Sequence, residues 1–466
     1  MQIFFDITQF LLQHGFRTPT GISRVELAYV KHLLLHHRDE VTFISSYPPQ
    51  VHVIPTARVR RFVEVTEACW QAGSVQGTDH TGHQLAKFIG TEAVLPPACP
   101  VQTEGTPHVS GISRHRAAFS ALAAASAGVL TPRKVSHLVR NSTDPLYLSV
   151  SGWRLPTPWI ARWLARMPQM KSIFLLHDII PLTHPGFVRE MSWRKHKEYV
   201  DRVTEHAALI LANSQSTADA LSAYMTEQGR PTPPTRVIPL GYEGGISNDP
   251  RLPLPDVKKI PPYFVTIGTI DPRKNHTLLL NVWSRLVEHY GESCPKLIII
   301  GKRGWAGDPI LHMLDRDPKL QRHVIHSGHV QDSVLFQVMR HARAILFPSF
   351  AEGFGLPLSE AMVLGAPVIC SDIATFREIG KDIPEFIDPL DQLGWLRCIQ
   401  RYSDAANPAR LQQVQKHGSV GLPSWESHFS DFEEGLRDLT GRGPWGRFRL
   451  SAGSYVRRPG RVFRSL

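Results

Sequence analysis

Between residues 263 and 387, short apolar runs alternate with amphipathic stretches, and few folds accommodate that rhythm. The apolar runs fall at 263–267, 297–300, 324–326, 344–347, 368–370 and 386–387. Helix-like stretches fall at 275–289, 333–341, 356–364 and 375–379. Strands that are apolar without strict alternation are buried on both faces, as happens when helices cover both sides of a parallel sheet. The expectation is a doubly wound α/β domain.

The first half repeats the rhythm less clearly. Residues 3–7, 147–150, 173–176, 209–211 and 237–238 read as strands, and 22–36 as an amphipathic helix. The stretch 48–141 is rich in Gly, Pro, Ser, Thr and His and reads as an elaborated loop region. With 466 residues, two domains are expected. Five prolines between Gly241 and Pro262 mark the linker. The division is therefore 1–250 for an N-terminal domain, 251–435 for a C-terminal domain and 436–466 for a basic aromatic tail. Two such domains would face one another across a cleft at the carboxyl ends of their strands, where open α/β sheets bind ligands.

No apolar run approaches the roughly 18 residues that span a bilayer, and the N-terminus lacks the basic start of a signal peptide. Five scattered cysteines without CxxC spacing argue for free thiols and a cytoplasmic location. The net charge of +11 leaves anionic substrates, anionic membranes and nucleic acid open as partners. The tail from Gly441 carries seven arginines and no acid among interleaved aromatics, which suits a solvated end or a peripheral contact with an anionic membrane face. Nothing resembling a nucleic-acid fold accompanies it, so no nucleic-acid partner is expected.

Two segments carry the chemistry. Gly268-Thr269-Ile270-Asp271-Pro272-Arg273-Lys274-Asn275 follows a strand, so Arg273 and Lys274 can neutralise a diphosphate while Asn275 caps the next helix. Alone, such a basic pair is an ordinary solvated loop feature. Glu352-Gly353-Phe354-Gly355-Leu356-Pro357-Leu358-Ser359-Glu360 also follows a strand. Its glycines allow close backbone approach, its amides precede a helix start that favours anions, and carboxylates accept hydrogen bonds from vicinal hydroxyls. Glu352 then lies in the loop and Glu360 in the first turns of the helix.

Together these segments resemble the GT-B retaining glycosyltransferases of family 4, whose C-terminal domain carries E-x7-E. Further matching stretches are Leu176-His177-Asp178-Ile179-Ile180-Pro181, Ala212-Asn213-Ser214-Gln215-Ser216-Thr217, Val237-Ile238-Pro239-Leu240-Gly241 and Gly301-Lys302-Arg303-Gly304-Trp305. The look is that of bacterial mannosyltransferases and rhamnosyltransferases of surface-polysaccharide assembly. The resemblance assigns Arg273 and Lys274 to the donor diphosphate, Glu360 to the ribose and Glu352 to the donor sugar. Gly268, Gly301, Arg303, Val330, Gly353, Phe354, Gly355 and Leu356 would complete the donor site, and His177 would approach the reaction centre. Pro19-Thr20-Gly21-Ile22-Ser23-Arg24 matches the glycine loop facing donor and acceptor, with the frequent Gly-Gly pair reduced to Gly21.

The resemblance implies hexosyl transfer with retention from a nucleotide diphosphate sugar, GDP-mannose being the candidate, to a lipid-linked saccharide acceptor. No cofactor is expected. No DxD motif stands at a strand end, and Asp315-Arg316-Asp317 lies in a polar stretch, so no metal is expected either. The competing readings are a nucleotide-sugar epimerase of the same fold and a non-catalytic nucleotide-sugar-binding module. A dinucleotide oxidoreductase fails because no GxGxxG follows a strand.

Overall fold

The computed structural model describes residues 1–12, 21–46, 51–72, 78–91, 132–151, 158–242, 260–328, 330–416 and 421–441. Its described strands form two sheets. The first sheet contains β1 (Gln2–Asp6), β2 (Val41–Ser45), β3 (His52–Ile54), β4 (Pro145–Ser149), β5 (Lys171–Leu176), β6 (Leu209–Ala212) and β7 (Thr235–Val237). Its spatial order is β3-β2-β1-β4-β5-β6-β7, and β3 alone runs antiparallel to its neighbour. The second sheet contains β8 (Tyr263–Ile267), β9 (Lys296–Ile300), β10 (Val324–Ser327), β11 (Ala344–Phe347), β12 (Val368–Ser371) and β13 (Glu385–Ile387). Its order is β10-β9-β8-β11-β12-β13, all parallel.

Both sheets reverse direction of winding once, between β1 and β4 and between β8 and β11. A crevice opens at such a switch point because the flanking connections leave on opposite faces. Burial explains the apolar runs: every residue of β4, β11 and β12 is buried. One apolar cluster runs from the first sheet into the second, while separate clusters fill the outer faces around Phe174 and around Trp283 and Trp395.

Three expectations change. The stretch 48–141 is not simply loop: it holds β3 and the helices Thr56–Ala72, Thr78–Ile89 and Pro132–Asn141. Val59, Leu85, Ile89, Val135 and Val139 are buried, so tertiary cover supports helices whose sequences are otherwise polar. The helix Trp425–Thr440, most of it expected within the second domain, packs instead on the first. Phe429 and Phe432 meet Tyr29 edge-on at 5.1 and 5.2 Å, and His428 Nδ1 donates to Pro239 O at 2.8 Å. Such aromatic pairs contribute about 0.5–1.5 kcal/mol each beyond area burial. Asn275 stands at the N-cap of the following helix His276–Tyr290 but makes no side-chain cap; it is left-handed, with φ 55°, and its side-chain amide donates to Pro389 O at 3.0 Å. Most of the expected linker (243–259) and nearly all of the basic tail (442–466) lie outside the described residues.

Candidate functional site

The connections after β8 and β11 leave the second sheet at its switch point and converge. After β8 the chain turns through Gly268, with φ 152° and the Lys274 side chain 3.3 Å from where a Cβ would stand. A short 3-10 turn, Pro272–Lys274, is capped by Asp271, whose carboxylate accepts from Lys274 N. That turn presents Arg273 and Lys274 toward the β11 connection. Gly301 permits the close crossing of the β9 end, since a side chain there would run into Gly268 O.

After β11, Glu352 receives both cations. Arg273 Nη1 donates to Glu352 Oε2 at 2.7 Å and to Ala351 O at 2.6 Å, and Lys274 Nζ donates to Glu352 Oε1 at 2.5 Å. Burial opposes ionisation of Glu352, but Lys274 and Arg273 outweigh it and hold the carboxyl at about 2. The triad carries one net positive charge, and the ammonium and guanidinium retain donors for a further anion. Gly355, at φ 93° and with Phe376 Cε1 2.9 Å from a would-be Cβ, starts the helix Leu356–Val363 without a side-chain cap. The first amides of that helix therefore have no side-chain acceptor, which favours an anion nearby. His276, immediately beyond the basic turn, is buried and stays neutral, pushed to about 4 by burial with help from Lys274.

The first domain supplies the facing wall. Gly353 packs so closely on His177 O that any side chain there would collide, and its would-be Cβ is 2.9 Å from Asp178 Cβ. Ser214, which caps the helix Gln215–Glu227, donates through Oγ to Gly353 O at 2.7 Å, and Thr217 Oγ1 adds a bond at 3.2 Å. Glu378 accepts from Gln215 N and Ser216 N at 2.6 and 3.0 Å. His177 follows β5 and bonds through Nε2 to Val150 O, beyond β4, at 2.7 Å. A carbonyl only accepts, so Nε2 carries the proton and Nδ1 is the acceptor nitrogen. Burial lowers the His177 pKa, so the ring is neutral at pH 7.

The start of the helix Gly21–His36 touches the second domain directly. Gly21 lies against Leu356 Cδ1, 3.3 Å from a would-be Cβ, and Arg24 reaches Glu360 and Asp332. The structure thus brings together Gly21, His177, Gly268, Arg273, Lys274, Gly301, Glu352, Gly353, Gly355, Leu356 and Glu360 along one line of contact. Phe354 and Val330 are buried, their side chains in the apolar cluster. Arg303 is exposed and pairs with Asp308 at 3.0 Å, although its backbone bridges to Ile270 beside the basic turn. Asp317 caps the one-turn helix Pro318–Gln321, in line with a surface role for Asp315-Arg316-Asp317.

Sequence reasoning gave no role to Arg24, Asp332, Ser214 or Thr217 in joining the domains. Their partners are more than 130 positions away, so no local spacing signals them. Another such contact is Trp305, whose Nε1 donates to Phe187 O at 2.8 Å while Phe187 stacks on Phe350.

Residues 255–383 match the family described as Glycosyl transferases group 1. The serotype-specific mannosyltransferase WbdA of Escherichia coli is 30% identical over 225 residues, which are 45% of this chain and 27% of WbdA. The O-antigen chain mannosyltransferase B of Escherichia coli is 28% identical over 270 residues, 56% of this chain and 66% of that protein. The chain therefore spans about a quarter of WbdA and just under two thirds of the second relative. Among solved structures, Anabaena HepE in complex with UDP aligns with a TM-score of 0.55 at 16% identity, over 94% of this chain and 100% of HepE. An E. coli trehalose-6-phosphate structure bound with UDP-2-fluoro glucose aligns with a TM-score of 0.55 at 12% identity, over 94% and 99%. At these identities the likeness is one of fold, and the fold is GT-B.

Proposed function

From the group 1 glycosyltransferase domain that the chain carries at residues 255–383, we propose that the protein transfers a hexose from a nucleotide diphosphate sugar to a saccharide acceptor with retention of anomeric configuration. The observation that carries this reading is the Arg273–Lys274–Glu352 triad at the second switch point, closed over by Gly353 against His177 and Asp178. Arg273 and Lys274 stabilise the diphosphate as it departs, and the uncapped helix start at Gly355 adds a fixed dipole. Two cations in this position supply the charge that a metal ion supplies elsewhere, so the reaction needs no metal.

The acceptor hydroxyl attacks on the face from which the phosphate leaves. The acceptor oxygen bonds to the anomeric carbon, the bond from that carbon to the phosphate oxygen breaks, and the acceptor proton passes to the departing phosphate. Neutral His177 accepts a hydrogen bond through Nδ1 rather than competing for positive charge. Glu360 takes the ribose and Glu352 the sugar. WbdA and the O-antigen chain protein are named as mannosyltransferases, which supports mannose as the sugar; the reading adds GDP-mannose as the donor and a lipid-linked polysaccharide intermediate as the acceptor. No described helix is long and apolar enough to cross a membrane. Peripheral contact through the basic tail would bring the enzyme to such an acceptor.

A thermal-shift screen of the purified protein against GDP, UDP, dTDP and ADP sugars tests the donor, because specific binding stabilises by mass action. GDP-mannose should raise the melting temperature selectively, and preference for another base would replace it as donor. Incubation with donor but no acceptor separates transfer from epimerisation: a new sugar nucleotide would sink the transferase reading.

A further inference from the structure

At the end of the helix Gly21–His36 remote from the cleft, three side chains from two distant segments converge. His32 Nε2 and His37 Nε2 lie 2.8 and 2.7 Å from the same carboxylate oxygen, Glu433 Oε1. The three atoms all lie within 4.8 Å of one another. Each imidazole is held by a separate contact. His32 lies flat on Phe429, with centroids 3.9 Å apart and an interplanar angle of 4°, and His37 Nδ1 faces Glu40 Oε2 at 3.0 Å. Both histidine side chains are 10% exposed and Glu433 is 25% exposed, so the cluster is walled by protein and open to water on one side.

We propose that His32, His37 and Glu433 form a zinc site with water as fourth ligand, a structural clasp between the first domain and the C-terminal helix Trp425–Thr440. A neutral His37 has one hydrogen to share between the carboxylates of Glu40 and Glu433. When Glu40 holds that hydrogen on Nδ1, Nε2 offers its lone pair to a cation shared with Glu433. This is the outer-shell arrangement in which a carboxylate orients a zinc-bound histidine. Two imidazoles and one carboxylate match the ligand preferences of zinc, a borderline-soft ion. Metal–ligand bonds of roughly 2.0–2.1 Å in tetrahedral geometry set ligand atoms about 3.3 Å apart. Closing the clasp therefore moves each histidine nitrogen about half an ångström away from Glu433 Oε1. Its place in the fold gives it a consequence: the same helix carries Gly21 and Arg24 at its other end, so anchoring one end steadies the other.

The test uses the full chain without a histidine tag, stripped with EDTA and titrated with zinc chloride by calorimetry while thermal unfolding is followed in parallel. The expected result is saturation at one equivalent and a rise of several degrees in melting temperature. Folded His32→Ala and Glu433→Gln variants should lose both, and Glu40→Gln should weaken binding by about tenfold or more. Cobalt(II) added to the stripped wild-type protein should give the visible absorption of a four-coordinate ion, a readout that needs no variant. Absence of a saturable equivalent, a six-coordinate cobalt spectrum, or undiminished binding by folded Glu433→Gln would overturn the proposal. Bridging by protons alone appears as the first of these outcomes.

Discussion

Arg24 Nη1 stands 2.7 Å from Glu360 Oε1, so a helix of the first domain and a helix of the second are joined by an ion pair across 336 positions of sequence. The same guanidinium reaches Asp332 Oδ2 at 3.3 Å through Nη2. Arg24 is 17% exposed and Glu360 11%, which places the pair between solvent-screened bridges and fully buried ones. Under the proposed function Glu360 meets the ribose, so Arg24 positions the carboxylate that the nucleotide uses. Arg24→Gln should raise the donor KM by about tenfold, equivalent to about 1.4 kcal/mol, with a smaller change in kcat. Arg24→Lys should restore part of the affinity. Unchanged donor KM and melting temperature in Arg24→Gln would reduce the contact to surface decoration.

Lys274 carries one of the two charges offered to the diphosphate. Lys274→Ala should lower turnover by about 100-fold or more while far-UV circular dichroism stays native, the scale seen when one preorganised donor is removed from a developing anion. Glu360→Ala should likewise abolish transfer through donor binding. Full turnover by both variants would remove the donor site from these loops.

Glu352 makes stability fall in acid. Its carboxyl titrates at about 2 in the folded chain, against an ordinary value of 4.5. The unfolded chain therefore binds the proton first as pH drops. The stabilisation is complete above about pH 5 and is lost progressively as pH falls through 4.5 toward 2, about 3 kcal/mol in all. Denaturant unfolding from pH 6 to pH 3 should show this loss, and Glu352→Gln should flatten the slope while being less stable at neutral pH. An identical slope in the variant would assign acid sensitivity to other carboxylates.

Gly353 makes a close interdomain contact beside the site. Gly353→Ala would set a methyl group against His177 O and within 2.9 Å of Asp178 Cβ. Overpacking of this kind costs about 1–3 kcal/mol, and here it separates the Glu352 loop from its facing wall. The melting temperature should drop by several degrees and turnover should be lost. Gly186→Ala, with open space around its would-be Cβ and no positive φ, is the matched control and should behave as wild type.

The basic turn and the Glu352–Glu360 segment were legible because each is local. A strand end, a glycine at an unusual dihedral, a capped turn and an eight-residue step leave their marks within ten positions. The same locality exposed the second sheet, whose four central strands are apolar runs buried on both faces. Helices such as Thr56–Ala72 and Thr78–Ile89 were not legible, because their stability comes from partners that cover them and their own residues are largely polar. The return of Trp425–Thr440 to the first domain was hidden for the same reason.

Sequence alone determined the chain's local chemistry: which segments form the strands of the second sheet, where the cations sit and that two carboxylates flank a glycine-rich loop. Tertiary structure alone decided the pairings: Arg273 and Lys274 on Glu352, Arg24 on Glu360, Gly353 on His177, and His32 and His37 on Glu433. Side-chain identity and spacing fix dihedral preference and burial pattern within a few turns of chain. Charge pairing depends on distances of about 3 Å between groups tens or hundreds of residues apart, and only the packed domains set those distances.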